Sequence, residues 1–314
     1  MVEEILPDLF RIKIPMTGNP LKYINSYVVR SADRNLIIDT GLNNEECHKA
    51  MLAGLDELNV DLARTDFFIT HFHADHFGLV LKLITDTSTV FFNRPDSEFL
   101  EGFSTWEPMF EYARRYGFPK DQVRAAIESH PGFKHGSTWM PETNILEDDE
   151  IISAGEYSFR CVATPGHSRG HTCLYEPLKK ILISGDHILG DITPNIQCWT
   201  DDSNPLQDYL DSLDKVYKLD IDLVLPGHRK LIRNFRKRIQ ELKQHHYRRA
   251  EEILVILQKG SKNAFETAGE MKWDIDAKSW DDFPLAQKWF ATGETIAHLR
   301  YIEAQQKIFR VTKG

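Results

Sequence analysis

Apolar residues along the first ninety positions fall in short runs separated by polar turns. "YINSYVVR" (23–30) and "NLIIDTG" (35–41) are β-branched and aromatic runs of strand length, the second closed by a glycine turn. "NNEECHKAMLAGLDEL" (43–58) changes period: Cys47, Met51, Leu55 and Leu58 recur three or four positions apart behind an Asn and two Glu, which predicts a capped helix. "DFFIT" (66–70) reads as a strand, "FGLVLKLI" (77–84) as a helix and "TVFFN" (89–93) as a strand. This β-β-α-β-α-β order predicts layered sheet and helix, an α+β chain rather than a bundle.

Residues 94–145 break the rhythm. Phe99, Phe103, Trp106, Met109, Phe110, Tyr112, Tyr116, Phe118, Phe133, Trp139 and Met140 stand among helix formers and Pro/Gly punctuation, which predicts a helical insertion. Its apolar face serves packing or, lying between groups of chemically active residues, a lid. Strand signals return at 151 with "YSFRCVATPGHSRGH", "TCLYEP", "KILISGDHIL" and "IDLVLPGH", each ending in a turn that carries His or Asp. From 229 the pattern is helical, with one long amphipathic segment, two further helices and a final strand in "KIFRVT" (307–312). The expected organisation is a catalytic domain over 1–235 and a small C-terminal helical domain over 236–314.

Composition narrows the classes. The 314 residues carry a net charge of -9 with 41% apolar and 27% charged side chains, ordinary for a folded globular chain and unsuited to a surface built throughout for nucleic acid. No apolar stretch approaches the ~20 residues of a membrane helix, and the start shows no leader pattern, so a cytoplasmic chain without membrane contact is expected. Cys47, Cys161, Cys173 and Cys198 show no C-x-x-C spacing, which predicts buried thiols rather than a thiolate metal site.

The chemistry concentrates in "HFHADH" (71–76), where His71, His73, Asp75 and His76 follow the strand "DFFIT". Even in a chain of 13 histidines, such a cluster arises by chance on the order of once per million starting positions. In an extended segment His71, His73 and Asp75 project to one side, and a tight turn can bring His76 round to a second centre. Imidazole and carboxylate donors suit Zn²⁺ first, with Fe and Mn as alternatives. Four ligands on one loop are too crowded for a single ion that must keep a position open, so two ions are expected. Three later positions complete the set: His167 in "TPGHSRGH", Asp186 in "ISGDHIL" and His228 in "LPGH".

The ordered motifs H-x-H-x-D-H, P-G-H, G-D and P-G-H resemble those of the metallo-β-lactamase-fold hydrolases over about residues 5–235. The resemblance implies an αββα sandwich with metals at one edge of its two sheets. It assigns His71, His73 and His167 to one metal, Asp75, His76 and His228 to the other, and Asp186 to the bridge between them. It also makes Asp39 of "LIIDTG" a residue that orients the ligand loop. Asp186 speaks against an antibiotic-degrading β-lactamase and His73 against a flavodiiron oxidoreductase. The set is most similar to the glyoxalase II-like, lactonase and glyoxylase-type hydrolases, and the C-terminal layout resembles the subgroup with a winged-helix-like domain. Two positions depart from the family pattern: Leu79 follows Gly78 where Gly-Gly is common, and Arg229 follows the last P-G-H where Gly is common.

The implied activity is hydrolysis of an ester, thioester or lactone by a metal-bridging hydroxide, with Asp75 or Asp186 carrying the proton. His171 is open between holding substrate and supporting a ligand. The aromatic insertion and the loop 15–23 are expected at the mouth, favouring a small organic substrate with an apolar part. A ribonuclease or phosphodiesterase reading leans on 229–249, with nine Lys/Arg against one Glu, although such a run is more often a solvated helix face. A mononuclear iron persulfide dioxygenase can keep the same ligands, a regulatory protein with a vestigial site is disfavoured because no ligand is missing, and a homodimer is admitted.

Overall fold

The computed structural model describes residues 2–102, 105–135 and 141–311. Two sheets lie face to face. The first is built from β1 (Val2–Leu6), β2 (Leu9–Pro15), β3 (Tyr23–Val29), β4 (Asn35–Ile38), β5 (Thr65–Phe68), β6 (Val90–Phe92) and β7 (Asn144–Ile145), paired in chain order. Its strands are antiparallel from β1 to β4 and parallel from β4 to β7. The switch follows from the connections: β4 to β5 and β5 to β6 run through helices, as parallel neighbours require. Those helices are α1 (Glu45–Glu57), then α2 (Ala74–Phe77) and α3 (Val80–Leu83). Asn44 caps α1 by accepting from the Cys47 amide, as its Asn-Glu-Glu start predicts. The stretch that reads as one helix over 77–84 is two short ones, because the first is spent on shaping the histidine loop.

The insertion is helical, as expected: α4 (Arg94–Gly102), α5 (Glu107–Arg115), α6 (Lys120–Glu128) and α7 (Pro131–His135). Phe103, Trp139 and Met140 lie outside the described residues. The second sheet follows, with β8 (Ile151–Ala154), β9 (Tyr157–Ala163), β10 (Thr172–Glu176), β11 (Ile181–Gly185) and β12 (Leu223–Pro226) in the order β12-β11-β10-β9-β8. α8 (Pro205–Tyr217) makes the crossover to β12, which is parallel to β11.

Alternation along these strands divides the core into layers. Leu36 and Ile38 of β4 meet Ile181, Ile183, Leu223 and Leu225 between the sheets, while Ile37 faces α1. Leu182 and Val224 face the other way and join α8. The result is a four-layer αββα sandwich, with both central layers buried on two faces.

The chain ends in α9 (Phe235–Leu257), α10 (Ala264–Glu270) and α11 (Leu285–Ala304). Ile239, Leu242, Ile253, Ile296 and Ile302 of these helices share one hydrophobic cluster with Leu182 and Val224 of the second sheet. Among the described residues after β12 there is no β-strand to form a wing. "KIFRVT" in particular makes no strand over 307–311: Arg310 bonds Glu303 and the Tyr116 hydroxyl, which holds this tail beside α11 and α5 and away from any sheet edge. No helix of the described residues is long and apolar enough to cross a membrane.

Candidate metal centre

Four strand ends deliver the candidate ligands. β5 leads through Thr70 into His71, and His73, still extended at φ -60, ψ 144, is the N-cap from which α2 starts. That helical turn swings Asp75 away from His71 and His73, so the three do not share one side as an extended segment would place them. Asp75 stands with His76 and His228 instead, the grouping the family resemblance implies. From the second sheet, β9 leads to His167, β11 ends one residue before Asp186 and β12 two residues before His228.

The ligand atoms form three overlapping groups, each within 4.8 Å: His71, His73 and His167; Asp75, His76 and His228; and His71, His76 and Asp186. His71 Nε2 is 3.0 Å from His73 Nδ1, and His228 Nε2 is 3.3 Å from Asp75 Oδ2. Asp186 stands between the groups, with Oδ1 3.5 Å from His76 Nε2 and Oδ2 3.6 Å from His167 Nε2 and 3.5 Å from His228 Nε2. Ligands at ~2.0–2.1 Å from a tetrahedral ion are roughly 3.3 Å from one another, so these spacings suit donors that share a cation. A second observation agrees. His76 Nε2, His167 Nε2, His228 Nε2 and Asp186 Oδ1 are buried with no hydrogen-bond partner among the described residues, an arrangement costly unless something positive sits between them.

The outer ring nitrogens aim the inner ones. His76 Nδ1 donates to Asp39 Oδ2 at 2.7 Å, His167 Nδ1 to the Asn195 carbonyl at 2.9 Å and His228 Nδ1 to the Tyr23 carbonyl at 3.0 Å. Each bond occupies Nδ1 and turns Nε2 towards the centre. Asp39, held at φ 58, also accepts from the Thr70 amide at 2.9 Å and hydroxyl at 2.9 Å. The hydroxyl is thereby left to accept from His71 Nδ1 at 3.0 Å.

Charge is distributed unevenly across the site. Burial and then the neighbouring histidines hold His71 and His73 well below the ordinary imidazole range, and burial lowers His167. Burial would lower His76 as well, yet Asp39, Asp186 and Asp75 outweigh it and lift this imidazole well above its ordinary value. His228 is raised in the same way, against burial, by Asp186 and Asp75. Burial opposes ionisation of both carboxylates, and the histidines overcome it: His76 and His228 lower Asp75, while His228, His76 and His167 lower Asp186.

His171 is fully engaged inside the protein. Its Nδ1 meets Thr164 Oγ1 at 2.8 Å and its Nε2 accepts from the Asp186 amide at 3.1 Å, so neither nitrogen remains for substrate. The departures from the family pattern have local reasons. Leu79 is fully buried against α1 and the first sheet, filling space that a glycine would leave open. Arg229 sits at φ 67, the left-handed region where glycine costs nothing, and its Nη2 donates to the Pro20 carbonyl at 2.8 Å, tying the loop 16–22 to the end of β12. Gly227 has no such latitude, since a Cβ there would lie 2.7 Å from both Asp186 Oδ1 and His76 Cε1.

Around the centre the insertion supplies aromatic side chains. Phe72 contacts Phe99 and His73 with centroids 4.8 Å apart in each case, and His130 lies 5.6 Å from Trp106 and 5.1 Å from Phe290 of α11. Burial pushes His130 down to about 4, and its Nδ1 accepts from the Gly132 amide at 3.0 Å, so this imidazole is neutral with its proton on Nε2. Much of the insertion's aromatic content is packing: Phe110 and Phe118 cluster with Trp289, with Trp106 and Phe290 partly buried against them, and Tyr112 joins the cluster under α8. Met16 of the loop 15–23 is core as well. The basic stretch after His228 is largely consumed within the fold, with Arg236 on the Leu219 carbonyl, Arg238 on those of Leu189 and Ile192, Lys243 on Asp214 and Arg249 on the Lys272 carbonyl.

Asp96 of α4 is a site residue that the sequence does not signal. It is fully buried and burial pushes it up to about 6, yet its carboxylate accepts from Phe72, Ser168 and Gly170. An Asp in the first turn behind a capping Asn looks like an ordinary helix start, so nothing in the chain marks it.

Known proteins share this architecture. A metallo-beta-lactamase family protein from Thermus thermophilus superposes with a TM-score of 0.82 at 27% identity, over 96% of this chain and 95% of that one. A probable metallo-hydrolase of Bacillus subtilis (strain 168) is 26% identical over 98% of this chain and 96% of its own length. The acyl-coenzyme A thioesterase MBLAC2 of Homo sapiens is 26% identical over 65% of this chain and 72% of its own. Residues 19–228, which span every candidate ligand, match the family model of the metallo-beta-lactamase superfamily, and the chain belongs to that superfamily.

Proposed function

We propose that this protein is a two-metal hydrolase of thioesters of small organic acids. The observation that carries the reading is the Asp186 carboxylate, which presents one oxygen to His76 and the other to His167 and His228, among four buried polar atoms with no partner among the described residues. His71, His73 and His167 would hold one divalent cation, Asp75, His76 and His228 the second, and Asp186 both. Zn²⁺ suits the nitrogen-rich set, with Fe and Mn as alternatives. Bound there, such a pair supplies Lewis acidity and lowers the pKa of water from 15.7 towards ~7.

The residues of the chain do the rest. Phe72, against His73 and backed by Phe99, offers an apolar, aromatic flank that suits an acyl group. Asp75 keeps 17% side-chain exposure, and with its Oδ2 lying 3.3 Å from His228 Nε2 its Oδ1 would take a proton from water and return it to the departing thiolate. In the balance, a C–O bond forms from water, the C–S bond breaks, and one proton passes through Asp75. Asp186 has an oxygen turned to each group and serves as the fixed spacer. The thioester preference is supported by MBLAC2, whose name gives an acyl-coenzyme A thioesterase. Lactones or oxygen esters would be worked by the same groups.

The test is parallel assay of the metal-loaded protein on an acyl-coenzyme A series, on lactones and on single-stranded RNA, after elemental analysis of protein purified without added metal. Thioester hydrolysis that disappears on chelation and returns with Zn²⁺ supports the reading. Turnover of RNA alone, or one iron per chain with oxygen consumption on persulfides, replaces it.

A further inference from the structure

The two loops that would hold the first metal are joined by a side chain from a third element. His71 and His73 lie on the loop after β5, His167 on the loop after β9, and Asp96 on α4 of the insertion between them in sequence. Asp96 Oδ2 accepts from the Phe72 amide at 3.1 Å and the Ser168 hydroxyl at 2.8 Å, and Oδ1 accepts from the Gly170 amide at 2.7 Å. The Phe72 amide belongs to the peptide between His71 and Phe72. Ser168 and Gly170 flank Arg169, directly after His167. One carboxylate therefore sets the spacing of both ligand loops.

We propose that Asp96 is a positioning residue of the metal centre, clamping the His71–His73 loop to the His167 loop and making helix α4 of the insertion part of the ligand frame. The inference rests on the two-metal reading.

Three further observations support it. Asp96 is fully buried, and no Lys, Arg or His among the described residues lies within ion-pair distance of it. A buried carboxylate without a cation persists only where oriented donors replace its hydration, and Phe72, Ser168 and Gly170, all on ligand loops, supply three such donors to Asp96. The seam is also sterically tight. A Cβ on Gly170 would fall 1.6 Å from Asn93 Oδ1 and 2.8 Å from the Asp96 amide, so "HSRGH" requires glycine at its fourth position for α4 to come this close. Asn93 completes the arrangement by accepting from the Asp96 amide at 2.9 Å, which fixes the helix start that presents the carboxylate.

Substitution by Asn keeps shape but not pattern. An amide can turn its oxygen towards Phe72 and Ser168 only by pointing NH₂ at the Gly170 amide, donor against donor, so one loop is released. Ser168→Ala is milder, removing one donor and leaving both backbone bonds.

The experiment measures metal affinity of the full-length protein by titrating metal-free wild type, Asp96→Asn and Ser168→Ala with Co²⁺, followed by its visible absorption, and with Zn²⁺ against a chelator. Amide exchange of segments 71–76 and 167–171 is recorded on the metal-free proteins. The expected result is a ~10–100-fold weaker tighter site in Asp96→Asn, the scale of losing a residue that orients ligands. Ser168→Ala should show a smaller loss of about threefold or more, and exchange should quicken in both segments of Asp96→Asn. Co²⁺ affinity within about twofold of wild type in a folded Asp96→Asn protein, with unchanged exchange, overturns the proposal. If Asp96→Asn does not fold, Ser168→Ala decides by the same measure, a loss supporting the clamp and wild-type affinity overturning it. A wild type that binds neither ion fails the two-metal reading itself, a result distinct from tight binding that is indifferent to Asp96.

Discussion

Two groups of candidate ligands stand side by side in this centre and differ in what surrounds them. His71, His73 and His167 face mainly other imidazoles, and burial with mutual repulsion keeps these rings neutral. His76 and His228 sit among Asp39, Asp75 and Asp186, which draw protons onto them. A cation entering the first group displaces no imidazole proton at neutral pH, whereas one entering the second competes with protons held by the same carboxylates that attract it. Near-equal numbers of ligands thus give sites with different proton costs.

The most severe way to break the comparison is to remove what the groups share. Asp186→Ala is expected to halve metal stoichiometry and lower kcat/KM by about 10³-fold, the scale of losing a principal electrostatic element, as read by elemental analysis and steady-state assay. Asp75→Asn touches only the carboxylate-rich group and the proton path, so kcat should fall about 10²-fold while the tighter metal stays bound.

Acidity sharpens the contrast without mutation. The sign follows from His76 and His228, which are raised, so they carry protons at pH values where the lowered His71, His73 and His167 do not. Below the raised values each proton displaced costs about tenfold in affinity per pH unit, and above them the dependence vanishes. Dialysis across a falling pH series should therefore release the second metal before the first, as counted by elemental analysis. Asp39→Asn should narrow the difference, since Asp39 is the strongest of the carboxylates raising His76: second-site affinity drops ~10-fold and its pH dependence flattens. The smallest effect is expected of Glu294→Gln on α11, whose Oε2 accepts from Asn195 at 3.4 Å behind His167. About a twofold change in first-site affinity is all that so long a bond supports.

Much of this is legible in the chain because the ligands sit in turns directly after strands, where a few adjacent residues state both the turn and the chemistry. "HFHADH", "PGH", "GDH" and "PGH" need no tertiary information to be noticed, and the layered order of strands and helices follows from period alone. What escapes depends on contacts between distant segments. Asp96 reaches Gly170 across 74 positions, and the carbonyls that aim His167 and His228 belong to Asn195 and Tyr23, whose side chains carry no signal for it. The side of the chain on which Asp75 emerges differs from the extended expectation because a four-residue helix begins at Ala74, too short to leave a periodic trace. "KIFRVT" has strand composition, yet Arg310 ties it to Glu303 and Tyr116, and its Phe309 is 83% exposed. The family resemblance likewise puts the loop of Met16 at the mouth, whereas packing assigns this side chain to the core.

The most direct test of the two-group account is Zn²⁺ titration of metal-free wild type at neutral and mildly acidic pH, counting ions bound and protons released. The account expects two ions per chain, the first binding with no imidazole proton released and the second with release that grows as pH falls. One ion per chain in a fully active enzyme, or two ions with identical proton release, would contradict it.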